Sequence, residues 1–474
     1  MAESTSKRLK PTDPEEATVV EDRISNLPDS LLCHILSFLT TKEAVVTSIL
    51  SSRWTTLWTL VPKLDFDSNE FGEIFSSDEE EQSPNHQDQW NTNRYHFTFA
   101  HIVSRVWALR DRSRNNANPI KHFRLYWRSD SDPIHVDTWV RTAITPDLEE
   151  LDLFISHPKP FNFPSTFFNY AKSLLVLKLN GKIVLNPPSS SFGFPSLKTV
   201  HLVNVRFANG NTFSKLLSCC PVLQNLYLQI YIRDRDNYFK IIVPTLKTLH
   251  LVFLRFWDCK LEINAPALEY LYCRGCSIED ILLGNLSNLL EADVTVDHDA
   301  SKDYGKKIRD FIGALSNVKS LQLVSNLTEC LCYATETDLP MFHNLTCLSI
   351  HIGCILWDVL LNLLHRAPNL AVLVFNTENV EWYNFDEEYT SIIVSMFYGD
   401  VPMCISSHLQ TFHFKGFKGS TYELEFVEHI LKTARFLKTM TVSSARMNSE
   451  EKVRVLKELL MFPRESRTCQ VAFL

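Results

Sequence analysis

From residue 148 onward the chain repeats one arrangement of apolar and polar positions. Segments of the form L-x-x-L-x-L recur as LEELDL at 148, LLVLKL at 174, LKTVHL at 197, LQNLYL at 223, LKTLHL at 246 and LEYLYC at 268. The series continues with LLEADV at 289, VKSLQL at 318, LTCLSI at 345, LAVLVF at 370 and LQTFHF at 409. Most starts lie 21–29 residues apart, and the last gap is 39. The first, fourth and sixth positions point inward and their neighbours outward, the alternation of a short strand. One unit cannot bury its own leucines, so the pattern predicts one strand per unit, stacked into a parallel sheet. A proline stands two positions before five of the starts (Pro195, Pro221, Pro244, Pro266, Pro368), where it sets up strand entry without removing a ladder hydrogen bond.

Before residue 63 the period becomes helical. In LPDSLLCHILSFL, Pro28 suits a first helical turn and Asp29 the positive end of its dipole, while Leu31, Leu32, Ile35, Leu36 and Leu39 recur at helical spacing. Thr40 and Glu43 have the capping-box spacing of a second helix, with Ala44, Val45, Val46, Ile49 and Leu50 on its apolar face. Ser51 or Ser52 is expected to cap a third, which places Trp54, Leu57 and Trp58 on one side before Pro62. Three helices this short carry more apolar surface than they can bury among themselves, so part of it is expected to face another protein.

The period and template together identify leucine-rich repeats, an α/β solenoid. Composition alters this picture in one place. Residues 65–88 hold nine acidic side chains (Asp65, Asp67, Glu70, Glu73, Asp78, Glu79, Glu80, Glu81, Asp88) and no Lys or Arg; removing them from the net charge of −8 leaves the remainder near +1. The acidity is local and reads as a disordered linker between the helices and the repeats. No basic stripe is left for nucleic acid. The apolar run from Leu345 contains His351 and Asp358 and fits the repeat, so no membrane span is expected there. With 12 cysteines in no regular framework and no secretory signal, an intracellular protein with reduced thiols is expected, in nucleus or cytoplasm. Cys273 and Cys276 form a C-x-x-C with no second pair at zinc spacing, and read as structural repeat positions; no metal site or cofactor is expected. No G-x-S-x-G, H-E-x-x-H or phosphate-cradling glycine motif is present, which points away from an enzyme.

The segment RISNLPDSLLCHILSFLTTKEAVVTSILSSRWTTLW closely resembles the F-box of plant F-box proteins, in its Leu27-Pro28 pair, its ILSFL core and its LSSRWTTLW ending. HLQTFHFKGFKGSTYELEFVEHILKTARFLKTMTV, with LLMFPRESRTCQVAF, resembles the FBD domain of the same proteins at Gly416, Gly419, Leu437, Lys438, Pro463, Arg464 and Cys469. The resemblance implies a Skp-family adaptor as partner and, through it, a cullin ubiquitin ligase. It also implies adaptor contacts at Leu27, Pro28, Leu31, Ile35, Leu36 and Leu39, with Val46, Leu50 and Trp54 completing or supporting them. The expected organisation is a tail to residue 21, the F-box at 22–62, the acidic linker at 63–92, a repeat cap at 93–147, leucine-rich repeats at 148–403 and the FBD domain at 404–474.

An adaptor needs a surface for its client. The residues between the last two inward positions of successive units are Asp152, Lys178, His201, Tyr227, His250, Tyr272, Asp293 and Gln322. In register, the middle four make a His-Tyr-His-Tyr row on the concave face, with Tyr270 beside it. His201, Tyr227, His250, Tyr270 and Tyr272 are candidates for holding a protein client. Packing between strands could also account for the row. Two alternatives stay open: a small-molecule sensor whose ligand completes the client surface, and an interaction scaffold outside any ligase.

Overall fold

The computed structural model describes residues 23–24, 26–71, 99–112, 118–128, 134–188, 192–207, 210–231, 237–254, 259–277, 281–296, 305–324, 331, 339–351, 357–377, 401–444 and 447–474. Among the described residues fifteen strands form one parallel sheet with neighbours in chain order. They are β1 (Lys63–Asp67), β2 (His122–Arg128), β3 (Glu150–Ser156), β5 (Val176–Gly181), β7 (Thr199–Val203), β9 (Asn225–Tyr231), β11 (Thr248–Leu254) and β13 (Tyr270–Cys276). After these come β15 (Glu291–Val296), β16 (Ser320–Leu323), β17 (Cys347–His351), β18 (Val372–Asn376), β19 (Thr411–Lys415), β20 (Thr439–Ser443) and β21 (Gln470–Phe473). Two small parallel sheets, β4 (Phe161–Asn162), β6 (Ile183–Leu185), β8 (Arg206–Phe207) and β10 (Asn237–Ile242), β12 (Cys259–Asn264), β14 (Ile281–Leu283), are built from the return segments.

The eleven repeat segments supply the strands from β3 to β19, and their fourth positions stack. Leu151, Leu177, Val200, Leu226, Leu249, Leu271, Ala292, Leu321, Leu348, Leu373 and Phe412 are ladder partners in succession. All are buried. At about 1.5–3 kcal/mol per large apolar side chain, this column is a main source of stability. The recurrent prolines sit in turns. Each is flanked by a buried leucine whose amide donates to the carbonyl three residues back, as in Leu268 to Ala265 at 3.0 Å and Leu223 to Cys220 at 3.3 Å. Proline's fixed φ suits the second position of such a turn.

The sheet is longer than the repeat pattern. At the C-terminal end, β20 and β21 continue it through the FBD segment, where Gly416 and Gly419 have φ of 76° and 73°. A β-carbon on Gly419 would lie 2.6 Å from Met447 Cε. Ser466 Oγ donates to the Leu437 carbonyl at 2.6 Å, and Arg464 to the Cys469 carbonyl at 3.1 Å. At the N-terminal end, β2 is a full strand inside the region expected to be only a cap.

Strand β1 corrects the linker assignment at 63–92. Residues 63–67 are a strand with Leu64 and Phe66 buried, and only part of the acidic run follows it; residues 72–92 lie outside the described residues. Asp65 and Asp67 belong to the outward face of β1 and meet Arg124 of β2 at 2.9 and 3.8 Å. Counting charge cannot distinguish them from the other acids of the run.

The N-terminal helices are α1 (Asp29–Leu36), α2 (Thr41–Val46) and α3 (Trp54–Leu57). The Thr40–Glu43 capping box forms, whereas α3 begins after Arg53 with no side-chain cap from either serine. The three helices are not separated from the repeats, a second correction. Leu32, Leu36, Trp54, Leu57 and Trp58 join one apolar core with Leu64, Phe66, Val103 and Phe123. The Asp65 amide donates to Thr41 Oγ1 at 2.7 Å. Arg110, buried on helix α4 (Phe99–Arg112), donates to the Val61 and Asn118 carbonyls at 2.7 and 2.8 Å. Burial lowers its pKa to about 10, and these carbonyls supply the polar partners the guanidinium needs. Among the described residues no helix is long and apolar enough to cross a membrane.

Candidate functional site

Two surfaces stand out on this scaffold. The first is on α1 and α2. Helix α1 carries two apolar stripes that helical spacing alone merges. Leu32, Cys33 and Leu36 turn into the chain's own core, while Leu31, Ile35 and Phe38 turn out, Leu31 48 % and Phe38 75 % exposed. Val46, Ile49 and Leu50, at the end of α2 and just after it, are exposed as well, Ile49 to 83 %, and so is Ile24 ahead of α1. Pro28 is exposed, and Leu27 and Leu39 are half-buried.

Of the expected adaptor contacts, then, Leu27, Pro28, Leu31, Ile35, Leu39, Val46 and Leu50 reach the surface. Leu36 and Trp54 are 1 % and 5 % exposed and face inward, so they support the surface rather than form it. Ile24, Phe38 and Ile49, outside the expected contact set, are exposed as well. Phe38 follows Leu31 and Ile35 at i, i+4, i+7, and that spacing could have identified it. Arg53 fixes the start of α1, donating from Nη2 to the Leu27 carbonyl at 2.6 Å and from Nε to Asp29 at 3.0 Å. The surface is therefore held from beneath by the core and at its edge by an ion pair.

The second surface is the concave face of the sheet. Ladder pairing runs Asp152, Lys178, His201, Tyr227, His250, Tyr272, Asp293, Gln322 on successive strands, so the row is in register. All five candidate client residues are half-buried. His201 and Tyr227 have ring centroids 4.1 Å apart, Tyr227 and His250 5.8 Å, and His250 lies 5.1 Å from Tyr270 and 5.6 Å from Tyr272. The row is one continuous aromatic band.

Its electrostatics follow from partial burial. Burial pushes His250 down from the ordinary histidine range, and burial with the Lys178 and His250 charges does the same to His201. Both rings are thus kept in the neutral form. Burial also raises Asp152, outweighing the attraction of Lys178 and Arg124. For Glu150 burial is outweighed, and the Lys178 ammonium at 2.8 Å together with His122 holds its carboxyl below the usual range. Beside the band, Arg124, Tyr126, Asp152, Phe154, Lys178 and His201 line a concavity of about 210 Å³ over the stacked Tyr126 and Phe154 rings, 4.1 Å apart. Cys273 and Cys276 are buried with sulfurs 3.2 Å apart, and no metal-binding group of His, Cys, Asp or Glu occurs among the described residues.

Comparison with known proteins decides the family. The F-box domain family matches residues 24–66, and the family described as "At1g61320/AtMIF1, LRR domain" matches residues 114–469. FBD-associated F-box protein At5g56370 of Arabidopsis thaliana is 32% identical over 474 residues, covering 95% of this chain and 100% of its own. The chain belongs to the F-box/FBD/LRR-repeat proteins. F-box/FBD/LRR-repeat protein At4g00160 of the same plant is 32% identical across 96% of this chain and 94% of its own, and At4g26340 29% identical across 95% and 100%. F-box proteins act in general as non-catalytic adaptors of ubiquitin ligases, with the F-box as the part that binds Skp-family adaptors. In this F-box protein the matched F-box segment contains the outward stripe of α1 and α2, and the matched repeat segment contains the aromatic band.

Proposed function

We propose that this protein is the substrate-recognition subunit of a Skp-cullin-F-box ubiquitin ligase. The Leu31–Ile35–Phe38 stripe with Val46, Ile49 and Leu50 binds a Skp-family adaptor, and through it a cullin. The concave band of His201, Tyr227, His250, Tyr270 and Tyr272 holds a protein client for ubiquitination. The observation that carries this reading is the unpartnered apolar stripe fused through a common core to a repeat scaffold. A fold gains nothing from presenting so many large apolar side chains within 20 residues spanning two short helices unless something covers them. Fusion to the scaffold also fixes the client relative to the ligase, and holding two reactants at a set distance is how a non-catalytic subunit accelerates transfer.

Co-expression with a Skp-family adaptor and gel filtration tests the first half. The parent chain should elute in a one-to-one complex, and a Leu31→Asp/Ile49→Asp variant, altered only at exposed positions, should elute alone with its fold intact. A complex that survives this change would remove the stripe from the interface. For the second half, Tyr227→Ala with His250→Ala should abolish client capture while adaptor binding stays.

A second reading has one observation in its favour. The concavity at Arg124 and Lys178 is lined by cations over an aromatic floor, the chemistry that would suit an anionic small molecule. It is smaller than the ~300–1,000 Å³ usual for ligand pockets, and both cations already pair with carboxylates. The protein-client reading is therefore preferred.

A further inference from the structure

The aromatic band meets carboxylates at both ends, and the two ends differ. Toward the N-terminus the acids are matched: Glu150 lies 2.8 Å from Lys178, Asp65 2.9 Å from Arg124, and Asp152 3.9 Å from Lys178. Toward the C-terminus, Glu291 pairs in the ladder with Tyr270, and Asp293 with Tyr272. Among the described residues neither of these carboxylates makes a hydrogen bond or an ion pair. Arg274, the next outward residue after Tyr272, attracts Asp293 without forming an ion pair. Asp293 is half-buried beside Tyr272 and Tyr270, a position that favours an added positive charge.

We infer that Tyr270, Tyr272 and Asp293, edged by His250 and Glu291, form a subsite for a cationic side chain, lysine or arginine, on an extended segment of the client. Tyrosine faces attract a cation through the ring quadrupole, and the half-desolvated Asp293 carboxylate supplies the counter-charge. An acidic client segment would meet two carboxylates that make no ion pair among the described residues, and be repelled. The spacing limits the motif further. From Tyr227 to Asp293 the row crosses three strand-to-strand steps of ~4.8 Å, about the reach of four extended residues. The basic residue should therefore stand about four positions from the one seated on Tyr227. Beyond Asp293 the row continues as Gln322 and Ser349, so the requirement for a cation is confined to this one end.

The inference rests on the reading of the concave face as the client surface, and one experiment separates the two. A random-sequence peptide library is selected on the full chain, and binders are sorted by loss of binding to a Tyr227→Ala/His250→Ala variant. Binders that depend on the row should carry Lys or Arg at a fixed position. Their affinity should fall at least about tenfold on Asp293→Asn, and on acetylation of that lysine, while Tyr272→Phe retains it. Row-dependent binders with no fixed basic position, or unmoved by Asp293→Asn in a chain with the parent's unfolding midpoint, overturn the subsite and leave the client surface standing. Binders that are all indifferent to Tyr227 and His250 overturn both.

Discussion

Gly181 closes β5 against β3 at the edge of the concave site, and a single methyl group there tests how tightly the ladder is specified. Its φ is +122°, and a β-carbon would sit 2.0 Å from the Ile155 carbonyl oxygen and 2.9 Å from its carbon. Both obstacles are backbone, so no side chain can swing away. Holding an L-residue at that φ costs about 1–3 kcal/mol, and forced overpacking about 1–3 more. Gly181→Ala should therefore destabilise the chain by about 3 kcal/mol or more. The strands it separates carry Asp152 and Lys178, whose 3.9 Å approach should open at the same time. Urea unfolding followed by circular dichroism reads the cost, with Gly313→Ala as control. Gly313 lies in the helix Gly305–Ala314 with nothing within 4 Å of an added β-carbon, so the same change should stabilise by about 0.5–1 kcal/mol. Equal midpoints for Gly181→Ala and the parent would refute the close-packed ladder.

Further outcomes separate packing from binding. Leu32→Ala, at 0 % exposure, should cost about 2–5 kcal/mol, whereas Ile49→Ser should change the unfolding free energy by no more than ~0.5 kcal/mol yet weaken adaptor binding in a pull-down. Arg53→Ala should weaken the adaptor complex, measured by calorimetry, with little change in midpoint, because it frees Leu27 and Asp29 at the edge of the surface. His201 and His250 both have pKa values lowered from 6.5 by burial. The unfolded chain binds more protons below that value, so their contribution is complete above about pH 6.5 and is lost as pH falls. A His201→Gln/His250→Gln variant should show a flatter midpoint-against-pH curve below 6.5 than the parent, and parallel curves would contradict the assignment.

The sequence made the solenoid legible wherever a leucine marked the start of a unit, because period-two burial leaves an unmistakable pattern. It fell short at the ends. VPKLDF and IKHFRL carry Val61 and Ile120 where most units have leucine and lie far from the next repeat start, so β1 falls in the expected linker and β2 in the expected cap. β20 carries its inward positions as Met440 and Val442 and falls within the segment that resembles the FBD domain. The return-segment sheets have two to six residues per strand, so alternations as short as Phe239–Ile241 and Leu261–Ile263 do not stand out from the sequence. In the F-box, helical spacing located α1 but could not divide Leu32 and Leu36 from Leu31 and Ile35. That division depends on α3 and the turn at Trp58–Leu60 packing against one side of α1, which is tertiary information. The concave row was the opposite case. Once one strand per unit was assigned, the register followed from the inward leucines, and the outward residues had to align.

The central claim is that the outward stripe of α1 and α2 is a partner surface on a module locked to the repeats. Hydrogen exchange by mass spectrometry, on the chain alone and with a Skp-family adaptor, addresses both parts at once. The account predicts slowed exchange on adaptor binding across residues 27–50, with β1, β2 and the α4 segment already protected in the free chain and unchanged. Exchange at residues 27–50 that stays the same, or an adaptor that protects β1 and β2 from a rapidly exchanging free state, would contradict it.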